Sequence, residues 1–353
     1  MPSTWDDFRG HGEQVEMFRR AIARGRLSQG YLFAGPAGVG KRTFARKLAT
    51  CLFCERHEEY ELEACGHCRS CRQMAGGSHP DYFEVGCPEG KRELPISVFL
   101  GEEDERGRAG LCYQLSLSPI SGGRRFAVIN DADAMNDAAA NAFLKTLEEP
   151  QPGAILVLIA QQPDELLPTI RSRCQLVRFA PLATADIVAL LLANGVTTDQ
   201  GAAWAAANVS EGSLEVASRL VDPALISLRQ TIIEELSKQP FDPSRTAERL
   251  VKGIEPFSDQ AAQREATGWI ARFAATFFRQ VAHVLIEPAT ADEAAAAFAD
   301  RLLRATGDDA EAVERLTALI DRAAAVEDQL SLYASPVLCI ESFAYDAANR
   351  LRG

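Results

Sequence analysis

The run from Gly35 to Lys41, which reads GPAGVGK, constrains the fold of this chain more than any other feature of the sequence. It follows a short apolar run at residues 31–34 and precedes an amphipathic stretch at residues 43–52. Between a strand and a helix, such glycines let successive backbone N–H groups converge on phosphate oxygens, and Lys41 adds a point charge. The motif therefore predicts a phosphate-binding loop on a parallel α/β sheet. The residues predicted to line it are Gly35, Gly38, Gly40 and Lys41.

The first half of the chain alternates short apolar runs with amphipathic stretches, as a parallel sheet with helices on its faces requires. Helices are predicted at residues 43–52 and 138–149, and the charged interval 89–110 is predicted to be a loop insertion. The pattern indicates a doubly wound layout of five strands. The predicted strands are residues 31–34, 81–85, 126–129, 155–159 and 175–179.

The second half of the chain is predicted to be helical. Two short helices are expected after Pro181, at residues 185–192 and 199–208, and no strand pattern appears beyond about residue 222. Further helices are predicted at residues 225–236, 261–286, 291–305 and 310–326. We therefore predict three parts. They are an α/β domain at residues 1–181, a small helical lid at 182–221 and an all-α domain at 222–353.

The charge balance limits the partners of this chain. Its formal net charge of −12 argues against holding nucleic acid alone through a broad basic surface, so any contact with DNA should be local or come through partners. The sequence has no basic start followed by an apolar stretch, and no run approaches the roughly 18 apolar residues of a membrane span. We expect a cytoplasmic chain that does not contact a membrane.

The nine cysteines are clustered, because five of them fall between Cys51 and Cys71. In a cytosolic chain such clustering favours a metal over disulfides. Four thiolates at these spacings suit a closed, structural zinc site, which we predict in a module at about residues 51–75. The predicted ligands are Cys54, Cys65, Cys68 and Cys71. The alternatives that stay open for the fourth ligand are Cys51, His57 and His67.

The residue after Lys41 departs from a working nucleotide site. A phosphate loop needs Ser or Thr at this position, because that hydroxyl binds the magnesium ion that bridges the phosphates. Here the position is Arg42, and Thr43 comes one residue late. One step along a helix turns a side chain by about 100°, so the hydroxyl of Thr43 should miss the metal.

The acidic residues that a working nucleotide site carries after a later strand are also changed here. The apolar run 126–129 ends in Asn130 and Asp131, where two acidic residues are expected, and Asn130 has no charge to offer a metal. Asp131 either keeps the second acidic position or, together with Asp133, caps the next helix. Two independent magnesium contacts are therefore missing.

Four segments of the sequence resemble the clamp-loader branch of the AAA+ ATPases, most strongly within residues 5–182. They are residues 27–41 (LSQGYLFAGPAGVGK), 65–82 (CGHCRSCRQMAGGSHPDY), 141–150 (NAFLKTLEEP) and 167–174 (LPTIRSRC). The resemblance implies an AAA+ P-loop domain with a zinc module, a small helical lid and a C-terminal collar domain. It also implies a five-subunit assembly that opens a sliding clamp and places it on primed DNA.

The resemblance assigns a role to Arg173. In the family, the arginine of the SRC motif reaches the ATP of a neighbouring subunit as an arginine finger. We predict Arg171 as a second contact. Glu215 stands where a sensor arginine is found in the family, and Gln161 stands at the first sensor position. Together with the two lost magnesium ligands, these departures favour a non-hydrolysing subunit over an ATP-hydrolysing gamma/tau-type subunit, which stays the alternative.

The implied partners are a gamma/tau-type ATPase and a delta-type clamp opener, with the sliding clamp and primed DNA reached through the assembly. The expected cofactor is structural Zn²⁺, and no catalysis is expected from the chain alone. Whether ATP or ADP still binds is left open. A third hypothesis, a zinc-dependent DNA-binding module, is disfavoured by the acidic total charge.

Overall fold

The computed structural model describes residues 3–88, 91, 93–121, 123–286 and 293–352. The chain divides into two compact units, Met1–Ala217 and Ser218–Gly353, which we call the N-terminal and C-terminal units. The finer boundaries at residues 181 and 221 stay predictions.

The N-terminal unit contains a parallel sheet of five strands, which confirms the fold predicted from the alternating pattern. The strands are β1 (Gly30–Ala34), β2 (Tyr82–Val85), β3 (Arg125–Ile129), β4 (Ala154–Ala160) and β5 (Gln175–Arg178). Their order is β2-β3-β4-β1-β5, and Leu32 of β1 lies opposite Leu158 of β4 and Leu176 of β5. Because all pairs are parallel, the carboxyl ends of the strands meet at one edge, where the loop after β1 emerges.

Helices follow most of the strands. Within the described residues of the N-terminal unit they are α1 (Gly12–Ala23), α2 (Lys41–Leu52), α3 (Arg69–Ala75), α4 (Ile96–Leu100), α5 (Gly110–Ser116), α6 (Asp137–Glu148), α7 (Pro168–Arg171), α8 (Thr184–Ala193), α9 (Gln200–Val209) and α10 (Leu214–Arg219), the last of which runs into the C-terminal unit. The predicted helices correspond to α2, α6, α8 and α9, with ends that differ by one or two residues. The remaining helices of this unit, α1, α3, α4, α5, α7 and α10, were not predicted.

The strand β1 is buried along its whole length because its side chains alternate between two apolar cores. Tyr31 and Phe33 pack with Phe44 of α2 on one face of the sheet. Leu32 packs with Phe143 of α6 on the other face. Burial on both faces is typical of a central parallel strand, and it fixes the start of the loop that follows.

The interval 89–110 is more than the predicted loop insertion, and that prediction is wrong at residues 96–100. It contains α4, while residues 89, 90 and 92 lie outside the described residues. Leu94 and Phe99 are fully buried, and the ring centroids of Phe99 and Phe143 are 5.1 Å apart. Two large apolar side chains therefore anchor this segment against α6.

The C-terminal unit contains only helices and turns in its described residues, as predicted. The helices are α11 (Pro223–Ser237), α12 (Pro243–Ile254), α13 (Gln260–Ile286), α14 (Glu293–Thr306), α15 (Asp309–Ser331) and α16 (Pro336–Arg352). Four of them begin with an Asp cap whose carboxylate accepts backbone N–H groups of the first turn, at Asp222, Asp242, Asp259 and Asp308. Residues 291 and 292, predicted as the start of α14, lie outside the described residues.

Candidate functional site

Lys41 closes the phosphate loop on itself. Its ammonium group, in the first turn of α2, donates to the carbonyl oxygens of Gly35 at 2.5 Å and Pro36 at 2.6 Å. The side chain is buried, and burial lowers the pKa of Lys41 although the negative charges of Asp133 and Asp131 oppose this. The group predicted to contact phosphate is therefore bonded to the loop's own backbone.

Other carbonyl groups of the loop accept hydrogen bonds from the surrounding protein. The Val39 carbonyl accepts from His11 Nε2 at 2.8 Å, and the Gly38 carbonyl accepts from the Leu214 N–H at 3.0 Å. Gly38 has a φ of +69°, and a Cβ atom there would lie 2.2 Å from Ser213 Oγ. The loop is therefore held between the N-terminal segment and the start of α10.

Glu215 lies over the same loop, at the position where the family resemblance expects a sensor arginine. A Cβ atom on Gly38 would lie 2.7 Å from the Cβ of Glu215. Burial lowers the pKa of Lys41, and the negative charge of Glu215 acts in the opposite direction. Negative charge therefore stands near Lys41, where a triphosphate would require positive charge.

The two residues that are predicted to stand in place of magnesium ligands bind to one carboxylate, that of Glu84 on β2. Arg42 Nε and Asn130 Nδ2 both donate to Glu84 Oε1, the latter at 3.0 Å. The Tyr82 hydroxyl donates to Glu84 Oε2 at 2.9 Å. Burial by itself would raise the pKa of Glu84, but the bonds from Asn130 and Tyr82 and the charge of Arg42 lower it overall. We call these four residues the Glu84 cluster.

Glu84 was not among the residues singled out in the sequence. It lies on a short edge strand, and no motif connects it to residues 42 or 130, which are distant in sequence. The signal that could have found it is a charged residue inside an apolar strand pattern, because such a residue needs a buried partner.

Asp131 and Asp133 do not cap the next helix, which excludes that reading of the pair. Asn136 caps α6 by accepting from the Ala139 N–H at 2.9 Å. Asp131 has a left-handed φ of +52°, and Asp133 Oδ2 accepts from the N–H groups of Gln161 and Gln162, at 2.7 and 2.9 Å. Asp133 therefore ties the segment after β3 to the loop after β4, which carries the predicted first sensor.

A cavity of about 490 Å³ adjoins the phosphate loop on the side of Gly38 and Gly40. Its lining is mainly apolar, with two acidic and two basic residues among the fourteen that line it. The lining residues are Asp6, Asp7, Phe8, Arg9, Gly38, Val39, Gly40, Thr43, Lys47, Leu182, Leu190, Ala193, Asn194 and Leu214. There is room beside the loop for a small ligand, while the phosphate end of the site is closed by Lys41.

Arg173 lies just before β5 and is held by two acceptors. Its Nη2 lies 2.6 Å from Glu148 Oε1, and its Nη1 donates to the Thr169 carbonyl at 2.9 Å. Arg171, the predicted second contact, instead pairs with the exposed Asp164. The side chain of Arg173 is 36% exposed.

Arg173 lies at the opposite edge of the sheet from the phosphate loop. It precedes β5, its carbonyl would be 3.0 Å from a Cβ on Gly30, and Gly30 is the first residue of β1. The phosphate loop follows the last residue of β1, and a five-residue strand spans about 17 Å. Arg173 is therefore placed too far away to act on the loop of its own chain.

Four cysteine sulfurs come together in the N-terminal unit. The Sγ atoms of Cys54, Cys65, Cys68 and Cys71 all lie within 4.8 Å of one another and could hold a metal ion. Backbone N–H groups point at three of these sulfurs, at 3.2 to 3.4 Å, as suits thiolates. A tetrahedral zinc with bonds of about 2.3 Å needs sulfurs about 3.8 Å apart, so the donor set fits zinc.

The other candidates for the fourth ligand are engaged elsewhere. His57 Nδ1 pairs with Glu61 at 2.9 Å. His67 Nδ1 donates to the Cys65 carbonyl at 2.5 Å, and its Nε2 accepts from Arg56 at 2.7 Å. Cys51 is buried on α2, and burial raises its pKa to about 12.

The parallel sheet, the phosphate loop after β1 and the helical second unit define a P-loop protein of the AAA+ class. Residues 10–183 match the family described as DNA polymerase III, delta subunit. Over these residues, which are just under half of the chain, the sequence is similar to that family.

Three relatives illustrate the likeness. The DNA polymerase III subunit delta' of Pseudomonas aeruginosa is 42% identical over 46% of this chain and 46% of its own length. That of Escherichia coli is 32% identical over 62% of this chain and 63% of its own length. The DNA polymerase III subunit tau of Bacillus subtilis is 26% identical over 64% of this chain and 38% of its own length.

The alignments cover 46% of the first delta' subunit and 63% of the second, which is less than two thirds of each protein. None of the helices in the described ranges combines the length and the apolar character that a bilayer-spanning segment needs.

Proposed function

We propose that this chain is a non-hydrolysing subunit of a bacterial DNA polymerase III clamp loader. In this role it helps to hold the assembly that loads the sliding clamp on primed DNA, and it gives Arg173 to the ATP site of a neighbouring gamma/tau-type subunit. The Glu84 cluster carries the first part of the proposal. Arg42 and Asn130, which stand in place of the two magnesium ligands, are both bonded to Glu84.

The electrostatics around the loop support the absence of hydrolysis. The positive charges of Lys41 and Arg42 are already matched, by backbone carbonyls and by Glu84. The negative charges of Asp131, Asp133 and Glu215 act on Lys41 as well. A triphosphate entering without its metal would meet more negative than positive charge, so its binding is disfavoured.

Arg173 carries the second part of the proposal. A guanidinium is planar and always charged, and it stabilises the charge that develops at the γ-phosphate during transfer. Because Arg173 lies at the sheet edge away from its own phosphate loop, such an action would be on another subunit. In GTPase systems a finger supplied in this way is worth on the order of 10³ to 10⁵ in rate.

The test is the ATPase activity of the reconstituted loader with Arg173→Ala. ATP turnover at the site that adjoins this chain should fall by a factor on the order of 10³. The turnover of the whole loader should fall by the fraction that this one site contributes to it. The matched control is Arg20→Ala, an exposed and ion-paired arginine on α1, which should leave turnover unchanged. Equal turnover in the two loaders would remove the finger role.

A second candidate function is that of an ATP-hydrolysing gamma/tau-type subunit. It is favoured by the intact loop glycines, by the cavity beside them and by the similarity to the tau subunit. The two candidates separate in one assay, because the non-hydrolysing subunit alone should show no magnesium-dependent ATP turnover above background. Appreciable turnover by the purified chain would favour the second candidate.

We also propose that the four-cysteine site holds a structural Zn²⁺ through Cys54, Cys65, Cys68 and Cys71. With four thiolate ligands the metal would be closed to water and would stabilise the fold of the module without taking part in a reaction.

A further inference from the structure

Glu148, the last residue of α6, makes the shortest polar contact of Arg173. The Oε1 atom of Glu148 lies 2.6 Å from Arg173 Nη2. On the other terminal nitrogen, Nη1 donates to the Thr169 carbonyl at 2.9 Å and has a longer contact to Ser172 Oγ at 3.5 Å. The two terminal nitrogens of the guanidinium are therefore each held by a different element of the fold.

We infer that Glu148 is a positioning residue for Arg173 and sets the direction in which the guanidinium faces a neighbouring subunit. This inference rests on the proposed function, since it assigns a task to Glu148 only if Arg173 acts on a neighbour's ATP. Nothing in the sequence pattern distinguishes Glu148 from the adjacent Glu149.

The donor count of arginine leaves room for this role. A guanidinium presents five N–H donors. The contacts to Glu148, Thr169 and Ser172 occupy at most three of them. At least two donors are therefore left for phosphate oxygens while Glu148 stays bound.

The benefit of the contact is pre-organisation. A free arginine side chain loses rotamer freedom when it binds, and immobilising one such side chain lowers a rate or an affinity by about three- to tenfold. Glu148 and Thr169 hold Arg173 before the neighbouring subunit binds. The side chain has therefore already lost its rotamer freedom in the folded chain. The helices α6 and α7, which carry the two anchors, pack against the same apolar core.

The test uses Glu148→Ala and Glu148→Gln in the reconstituted loader. The other ATPase subunits carry inactivated phosphate loops, so that only the site facing Arg173 turns over. Glu148→Ala should lower kcat for ATP by about three- to tenfold and leave KM unchanged, because the contact acts through a transition-state group. Glu148→Gln keeps an oxygen that accepts from Arg173 Nη2, and it should recover most of the activity. Glu149→Ala is the matched control and should behave as the unchanged chain.

The double variant Glu148→Ala/Arg173→Ala makes the test specific. If Glu148 acts through Arg173, the double variant equals Arg173→Ala, because the two losses are not additive. Additive losses, an unchanged kcat in Glu148→Ala or a raised kcat would each overturn the positioning role. If Arg173→Ala itself has no effect, the proposed function fails, and this result is distinct from the failure of Glu148 alone.

Discussion

Gly38→Ala should destabilise the N-terminal unit more than the same substitution at Gly195. Both glycines have a left-handed φ, +69° and +68°, so alanine meets the same backbone strain of about 1–2 kcal/mol at each position. At Gly195 a Cβ atom would have nothing within 4 Å, whereas at Gly38 it would lie 2.2 Å from Ser213 Oγ and 2.7 Å from Glu215 Cβ. Such overpacking adds about 1–3 kcal/mol to the loss of stability.

Calorimetric unfolding of the full chain measures the difference. An excess of about 1–3 kcal/mol corresponds to a melting temperature lower by roughly 2–12 °C than that of Gly195→Ala, for a unit of this size. Removing the Ser213 hydroxyl frees part of the space, so Gly38→Ala/Ser213→Ala should recover some of the loss when it is compared with Ser213→Ala alone. Equal melting of Gly38→Ala and Gly195→Ala would refute the contact between the phosphate loop and α10.

Two further predictions concern the Glu84 cluster and the cysteines. Because the folded state lowers the pKa of Glu84, its carboxylate stabilises the fold above about pH 4.5, and this contribution disappears as the pH falls further. Glu84→Gln should therefore lower the free energy of unfolding by about 1–3 kcal/mol at pH 7 and by less at acidic pH. In denaturant titrations, Glu149→Gln should leave the dependence of this free energy on pH unchanged. Cys68→Ser should abolish metal binding and lower the melting temperature, whereas Cys112→Ser, at a cysteine outside the cluster, should keep one metal per chain by elemental analysis. A Cys68→Ser chain that retained its metal would contradict the four-sulfur site.

The strands and the cysteine cluster could be predicted because their signals are local. Each strand is a short apolar run between turn residues, and burial on both faces makes that run continuous, as in β4 with all seven residues buried. The cysteines lie within 18 positions of one another, so their spacing limits how far apart the sulfurs can be.

The helices that were missed have weaker or misread signals. No helix was predicted at residues 243–254, although α12 has Asp242 as its cap and Pro243 in the first turn, which together indicate a helix start. In α4 the helix is only five residues long, too short for a periodic pattern, and its position depends on burial of Phe99 against α6.

The closed state of the phosphate loop could not be read from the sequence at all. The run GPAGVGK is compatible with an open loop that binds phosphate and with one in which Lys41 bonds to Gly35 and Pro36. The charges that act on Lys41 come from Asp133, Asp131 and Glu215 in other parts of the chain. Sequence spacing carries no information about such a meeting of distant residues.

The parallel sheet separates the two parts of the site in a way that explains how one could change without the other. Residues at the carboxyl edge, around Lys41 and Glu84, and residues at the amino edge, around Arg173, have no bonding partner in common among the described residues. Effects of substitutions more than about 10 Å apart usually add, so losing the magnesium ligands at one edge places no constraint on the guanidinium at the other. A subunit that gave up its own hydrolysis could therefore keep Arg173, because the structure that positions it, with Glu148 at the end of α6 and Thr169 in α7, does not depend on a bound nucleotide.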